Sequence, residues 1–215
     1  MIGIFGGTFD PVHNGHLRTC LDVQESVGLD EVRLVPVGRA VHREQPVVSP
    51  GIRLALVRAA VGDTPGLVVD DREVSRGGAS YMYDTLRSLR RDLEPGVPLC
   101  LILGADAFRG FLSWHRPFDI LDEAHIVVME RPGHVLREEG ALGELVGDRR
   151  VHDGGTLRTR AAGTLFSVSV TQLEISATDV RRRVAEGRSI SFLVPARVEE
   201  IIDRLGLYRT AGGLP

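Results

Sequence analysis

The run Gly6-Gly7-Thr8-Phe9-Asp10-Pro11-Val12-His13-Asn14-Gly15-His16-Leu17 sets two imidazoles three residues apart directly after a glycine turn. An imidazole, neutral or charged, offers ring N–H donors to an anion, and its charge changes close to neutral pH. Ile2 to Phe5 reads as a buried strand, Gly6-Gly7 lets the backbone turn sharply, and Asp10-Pro11 is a turn dipeptide ahead of a helix that starts near Asn14. Both histidines therefore fall at or beside a helix N-terminus, where unpaired backbone N–H groups and the helix dipole favour negative charge. The chemistry that suits this arrangement is phosphate binding. Either histidine alone reads as a cap or a surface residue. The pair, with Gly15 leaving the backbone open to a ligand, reads as a site.

A second run, Ile175-Ser176-Ala177-Thr178-Asp179-Val180-Arg181, reads as another helix start. Ser176 can cap it, and Asp179 three residues on predicts a capping box. Backbone N–H groups then lie beside the hydroxyls of Ser176 and Thr178, and Arg181, one turn in, can reach forward with a planar fork of donors. Alone, this segment is a capped helix with a solvated Arg181-Arg182-Arg183 run. Beside a first anion-binding helix start on the same sheet edge, it becomes the second half of a phosphate cradle.

The elements that position these runs alternate. Strand-like runs are expected at Ile2–Phe5, Val32–Val37, Leu67–Val69, Leu99–Leu103, His125–Met129 and Leu165–Val170. Most are nearly continuous in apolar character, as for strands buried on both faces. Helical spacing marks Gly15–Val27, Pro50–Val61, Tyr83–Leu93 and Ala105–Leu112, and two more helices follow at Thr178–Glu186 and Ala196–Leu205. Residues 136–164 read mainly as loop, with a helix at Glu138–Leu145. The alternation predicts an α/β fold: one Rossmann-like, doubly wound parallel sheet with helices on both faces, a single domain over 1–215, and a helical C-terminal segment at about 176–209. In such a sheet ligands bind beyond the carboxyl ends of the strands, where the winding reverses, and Gly6 to His16 follows one such end. The spacing G-x-G-x-x-G of dinucleotide-binding turns is missing.

Composition narrows the chemistry. The chain has 215 residues, 43% hydrophobic and 26% charged, which suits a soluble globular domain. A formal net charge of -3 argues against general nucleic-acid binding. No stretch reaches the length needed to span a bilayer, and the first residues lack a basic leader, so a cytoplasmic protein without membrane partners is expected. The 2 cysteines, Cys20 and Cys100, form no disulfide framework or metal motif. No lysine occurs: all 26 basic residues are arginine. A Walker A loop and Schiff-base chemistry are thereby excluded, and any side-chain cation on a phosphate must be Arg or His.

The two runs together resemble the paired signature of the nucleotidyltransferases with an H-x-G-H motif, and within them the bacterial nicotinate-mononucleotide adenylyltransferases. The likeness extends from Ile4 to Gly206-Leu207-Tyr208-Arg209 and takes in Ser80-Tyr81, Gly104-Ala105-Asp106, Ser113-Trp114 and Arg131-Pro132-Gly133 in order. The resemblance implies that His13 and His16 bind the ATP phosphates and stabilise the transition state, with Arg181 as a third catalytic residue on the β/γ side. It implies an ATP site formed by Gly6, Gly7, Thr8 and Phe9, with Ser176 and Thr178 on the β/γ side, Gly104 and Asp106 at the ribose and Arg131 near the adenine. For the mononucleotide it implies His42-Arg43 near the phosphate, Tyr81 and Met82 lining the pocket, and Trp114 stacked on the pyridine ring. Met82 stands where the family commonly has Thr, and Arg39-Ala40-Val41 replaces a more proline-rich approach to His42. Without the resemblance, Trp114 reads as packing, Asp106 as a helix cap, and Tyr81, His42 and Arg43 as surface residues.

The implied reaction is adenylyl transfer from ATP to nicotinate mononucleotide in NAD biosynthesis. The mononucleotide's phosphate, with a second pKa of about 6, is largely ionised at neutral pH and needs no protein base. Mg²⁺ would be held mainly through phosphate oxygens, with no protein metal site. The same first motif also fits transfer to nicotinamide mononucleotide or phosphopantetheine, cytidylyl transfer, a class I aminoacyl-tRNA synthetase fragment, or a non-catalytic nucleotide sensor. The synthetase reading lacks its lysine-containing second motif, and the retained histidines and Arg181 oppose the sensor. The sequence leaves oligomeric state open.

Overall fold

Strands that are apolar along their whole length must be covered on both faces, and the arrangement of elements meets that demand. The structure, a computed structural model, describes residues 1–41, 45–130, 140–147 and 149–209. In chain order these form β1 (Ile2–Gly7), α1 (Asn14–Val27), β2 (Glu31–Pro36), α2 (Pro50–Val61), β3 (Leu67–Val69), α3 (Arg72–Arg76) and α4 (Met82–Asp92). There follow β4 (Leu99–Gly104), α5 (Ala105–Arg109), α6 (Pro117–Glu123), β5 (His125–Glu130), α7 (Gly140–Gly147), β6 (Arg150–Val151), β7 (Leu165–Ser169), α8 (Ala177–Ala185) and α9 (Ala196–Leu205). Among the described residues the strands make one 7-stranded sheet in the order β3-β2-β1-β4-β5-β7-β6. Every pairing is parallel, with Ile4 opposite Arg33 on one side and Leu101 on the other.

Side chains alternate between the two faces, as the pleat requires. Cys100 and Ile102 enter a core with Val23 of α1, Leu56 of α2, Val180 of α8 and Ile202 of α9. Leu101 and Leu103 enter the opposite core with Leu86 of α4, Phe108 of α5, Ile120 of α6 and Leu145 of α7. The chain winds outward from β1 through β2 to β3, then restarts at β4 on the other side of β1. The winding therefore reverses between β1 and β4, and both strands end in glycine there, at Gly6-Gly7 and Gly104.

The expected strands and most expected helices agree with the structure to within a residue or two, and α8 and α9 form the helical C-terminal part. The expected helix Ala105–Leu112 is a correction. It stops at Arg109, and after Gly110 the chain tightens into a 3₁₀ turn over Phe111–Ser113. Ser113 Oγ and Trp114 N donate back to Gly110 O and Phe111 O, which fixes where the Trp114 ring begins. Four elements were not expected: α3, α6, the 2-residue β6 and a 3₁₀ turn over Gly154–Arg158. All are too short for an apolar period to register. In the 136–164 region α7 runs Gly140–Gly147 in place of Glu138–Leu145, and 136–139 and 148 lie outside the described residues.

No helix among the described residues is long and apolar enough to cross a membrane. Both cysteines are buried and free. Burial pushes the Cys100 thiol up to about 12 and Cys20 higher still, so neither offers a thiolate at neutral pH.

Candidate functional site

His13 is the N-cap of α1, in extended conformation, and its backbone N–H donates to Nδ1 of His16 at 3.2 Å. That bond requires His16 to carry its ring proton on Nε2. The two rings stack with centroids 3.6 Å apart and planes 28° apart. His16 is also walled by Phe9, edge-on at 5.2 Å, and by Phe5 at 6.2 Å. Burial pulls the His13 imidazole down to about 4. For His16, burial first and the charge of His13 second bring it to about 3. At neutral pH both rings are thus neutral, and Nδ1 of His13 is buried without a hydrogen-bond partner.

Glycines let the surroundings of the pair close in: a Cβ at Gly15 would lie 3.0 Å from His13 Nδ1. A Cβ at Gly6 would lie 2.7 Å from Met82 Cε, and one at Gly7 would lie 2.8 Å from the Phe9 ring. Phe9 itself holds a left-handed φ of 51° while 2% exposed, so a strained backbone keeps this ring against His16.

The loop between β1 and α1 is tied down from four directions. Arg53 of α2, fully buried, donates to the carbonyls of Thr8 at 2.7 Å, Val37 at 2.6 Å and Gly38 at 3.2 Å. It thereby joins the turn after β1 to the turn after β2. Asp10, 4% exposed, accepts from Val47 N at 2.7 Å and from the Tyr208 hydroxyl at 2.8 Å. Its own carbonyl accepts from Arg181 Nη1 at 2.6 Å, and Arg181 Nη2 donates to Thr178 Oγ1 at 3.3 Å.

Those last contacts bring the second helix start to the first. Ser176 caps α8, its Oγ accepting from Asp179 N at 3.1 Å. The expected capping box is only half formed, because the Asp179 carboxylate turns to Arg182 and Arg183 instead. Two cationic partners outcompete a single backbone N–H.

Two cavities open beyond the carboxyl ends of β1 and β4. One, of about 620 Å³, is lined by His13, Gly15 and His16, by Gly104, Asp106 and Arg109, by Met129 and Glu130, and by the 170–175 segment. The other, of about 280 Å³, is lined by Gly6, Gly7 and Thr8, by Val37, Ala40 and Val41, and by Glu73, Ser80, Tyr81, Met82, Trp114 and His115. Phe5 and Gly104 line both. Beside the smaller cavity, Tyr81 and His115 rings lie 4.4 Å apart, and Ser80 Oγ accepts from Gly38 N at 3.0 Å, joining its two walls.

The structure thus gathers His13, His16, Gly104 and Asp106 around one cavity, and Gly6, Gly7, Thr8, Tyr81, Met82 and Trp114 around the other. Phe9 backs the histidines, while Ser176, Thr178 and Arg181 line neither cavity: Arg181 ties Thr178 to the Asp10 carbonyl, and Ser176 caps α8. Asp106 caps nothing: Gly104 is the N-cap of α5, and the Asp106 carboxylate pairs with Arg109. His42, Arg43 and Arg131 lie outside the described residues. Sequence reasoning missed Arg53, His115, Glu130 and the contact between Asp10 and Tyr208. Asp10 had read only as half of a turn dipeptide, and Tyr208 only as part of a closing motif.

The histidine pair imposes a pH dependence on folding. Both groups titrate lower in the folded chain than in the unfolded one, so the unfolded state binds more protons between about 6.5 and 4. Stability is full above that window and falls as pH drops through it. The expected loss between pH 6.5 and 5 is on the order of 2–4 kcal/mol for the pair. Buried His125 is lowered in the same direction, so the measurement is a difference. Urea unfolding of the wild type and of a His13→Gln/His16→Gln variant at pH 7 and pH 5 is expected to show a shallower loss in the variant. Parallel losses would contradict the burial of the pair.

The chain is similar to known proteins along almost its whole length. The Cytidylyltransferase-like family profile matches residues 4–183. A Chromohalobacter salexigens protein named "Probable nicotinate-nucleotide adenylyltransferase" is 47% identical over 208 residues, covering 96% of this chain and 95% of its own. A Pseudomonas syringae pv. tomato protein of the same name is also 47% identical, covering 97% and 93%. Among solved structures, the Plasmodium falciparum nicotinic acid mononucleotide adenylyltransferase complexed with NaAD superposes with a TM-score of 0.71 at 17% identity, covering 96% of each chain. That structural likeness speaks to the fold. The sequence likeness, end to end, speaks to kinship: the chain belongs to the nicotinate-nucleotide adenylyltransferase family of nucleotidyltransferases.

Proposed function

We propose that the chain, acting as one nucleotidyltransferase domain, transfers the adenylyl group of ATP to nicotinate mononucleotide, in the cytoplasm and in NAD biosynthesis. The observation that carries the reading is the pair of cavities that share Phe5 and Gly104 at the point where the sheet's winding reverses. ATP takes the larger one, with its phosphates toward His13, His16 and the α1 N-terminus. Gly104 and Asp106 serve its ribose; the family resemblance assigns its adenine to Arg131, which lies outside the described residues. The mononucleotide takes the smaller one, its pyridine ring against Trp114 and Tyr81 and its phosphate toward Thr8; the family resemblance adds His42 and Arg43, outside the described residues, to the phosphate.

A phosphate oxygen of the mononucleotide attacks the α-phosphorus of ATP. The new P–O bond forms as the bond from the α-phosphorus to the α,β-bridging oxygen breaks, and its electron pair leaves with pyrophosphate. The protein's task is to align two anions that repel each other and to offset charge growing on the phosphoryl oxygens. His16 Nε2–H, the α1 N–H groups and Arg181 are suited to that task, with Ser176 and Thr178 supporting the β/γ side. Among the described residues no three His, Cys, Asp or Glu side chains gather into a metal-holding cluster, so Mg²⁺ would arrive on nucleotide phosphates and water.

The test is pyrophosphate release with ATP and each of nicotinate mononucleotide, nicotinamide mononucleotide and phosphopantetheine. The highest kcat/KM is expected for the nicotinate compound; release with none of them would indicate a nucleotide sensor. Truncating Trp114 to Ala is expected to raise the mononucleotide KM about tenfold or more, the scale of a lost aromatic stack, with the ATP KM unchanged. An unaltered mononucleotide KM would remove Trp114 from the site.

A further inference from the structure

Tyr208 lies three residues past the end of α9, far in sequence from either phosphate element, yet its hydroxyl reaches one of them. Gly206 closes α9 in left-handed conformation, and Tyr208 holds a left-handed φ of 63°. A non-glycine residue in that region is strained, and here the strain coincides with a specific contact. The ring packs partly buried against the core shared by α1, α2, α8 and α9, and its hydroxyl donates to Asp10 Oδ1 at 2.8 Å. Burial and the Asp10 carboxylate both push the hydroxyl's pKa up, so it remains a donor at any working pH.

Asp10 is the centre of the arrangement. One carboxylate oxygen takes Tyr208, the other takes Val47 N, and the backbone carbonyl takes Arg181 Nη1 at 2.6 Å. A buried carboxylate with two fixed donors cannot rotate without leaving one of them unpaired, so the Asp10 peptide is held in one orientation. Its carbonyl then fixes one arm of the Arg181 fork, and Thr178 Oγ1 takes the other arm at 3.3 Å. Without the hydroxyl, Oδ1 loses the donor that faces it, and the carboxylate is left with Val47 N and the more distant Arg181 Nη1, 4.0 Å from Oδ2.

We propose that Tyr208 is a positioning residue for the phosphate end of the site, its hydroxyl orienting Asp10 so that the Asp10 carbonyl holds Arg181 ready for the triphosphate. The inference rests on the reading of Arg181 given above and deepens it. A contact that orients a charged group by a fraction of an ångström acts on the transition state more than on ground-state binding, so its loss falls on kcat.

The experiment is a double-mutant cycle with Tyr208→Phe and Arg181→Ala, read by pyrophosphate release with ATP and nicotinate mononucleotide. Tyr208→Phe keeps the packed ring and removes only the hydroxyl. Its kcat is expected to fall about tenfold, with both KM values within twofold of wild type. In the Arg181→Ala background the same change is expected to cost less than twofold, because a hydroxyl acting through Arg181 has nothing left to act on. A kcat within twofold of wild type, or an equal loss in both backgrounds, overturns the proposal and leaves Tyr208 a structural staple, which would lower the melting temperature alone. Should Tyr208→Phe not fold, Tyr208→Leu, which also lacks a donor, takes its place under the same criteria. The wild-type assay and the single Arg181→Ala variant test the underlying reading separately.

Discussion

Replacing His16 with Ala is expected to lower kcat by about 10²–10⁴, the range seen when a positioned donor to a developing oxyanion or a proton-transfer group is removed. The size follows from the environment. His16 is neutral, its Nδ1 is committed to the His13 N–H, and its remaining donor Nε2–H lies among Phe5, Phe9 and the stacked His13 ring. A hydrogen bond formed there is little screened by water. The KM for the mononucleotide is expected to hold, because His16 does not line that cavity. Steady-state kinetics on a variant whose circular dichroism matches wild type is the check. Turnover within threefold of wild type would take His16 out of the chemistry.

The second large effect is expected from a residue remote from any substrate atom. Arg53→Met preserves much of the side-chain volume but leaves the carbonyls of Thr8, Val37 and Gly38 without their donor. Unpaired buried acceptors cost about 1–3 kcal/mol each, offset in part because the guanidinium no longer has to be desolvated. A net loss of about 3 kcal/mol corresponds to a fall of about 6–12 °C in melting temperature for a chain of this size. The turns it joins carry Thr8 and Val37 into the smaller cavity, so the mononucleotide KM is expected to rise as well. Arg53→Lys, which keeps the charge but loses the fork, should lie between the two. Thermal unfolding unchanged within 2 °C in Arg53→Met would show that the three carbonyls have other partners.

What the sequence made legible was what repeats or has a fixed period. Apolar runs such as Leu99–Leu103 fit strands covered on both faces, and their alternation with helical spacing led to the doubly wound parallel sheet. The two helix starts were equally readable, since Gly-Gly, Asp-Pro and Ser-x-x-Asp act through neighbours in the chain. The half-formed capping box marks the limit of that logic: Asp179 had a local partner available and took two arginines on its own helix instead. Arg53 could not be found by period, because a charged residue on an apolar helix face registers as an interruption until the carbonyls it meets are known. The Asp10–Tyr208 bond spans 198 positions and has no local signature at all. Short elements such as α6 escaped for want of length, although Pro117 at its first turn was a start signal.

The partition formed by Phe5 and Gly104 has a corollary for what happens after bond formation. On the proposed reading, the finished dinucleotide straddles that ridge and occupies both basins simultaneously. It must therefore rival each reactant for its own seat, and departure of the product, gripped at two ends, becomes the natural bottleneck of turnover.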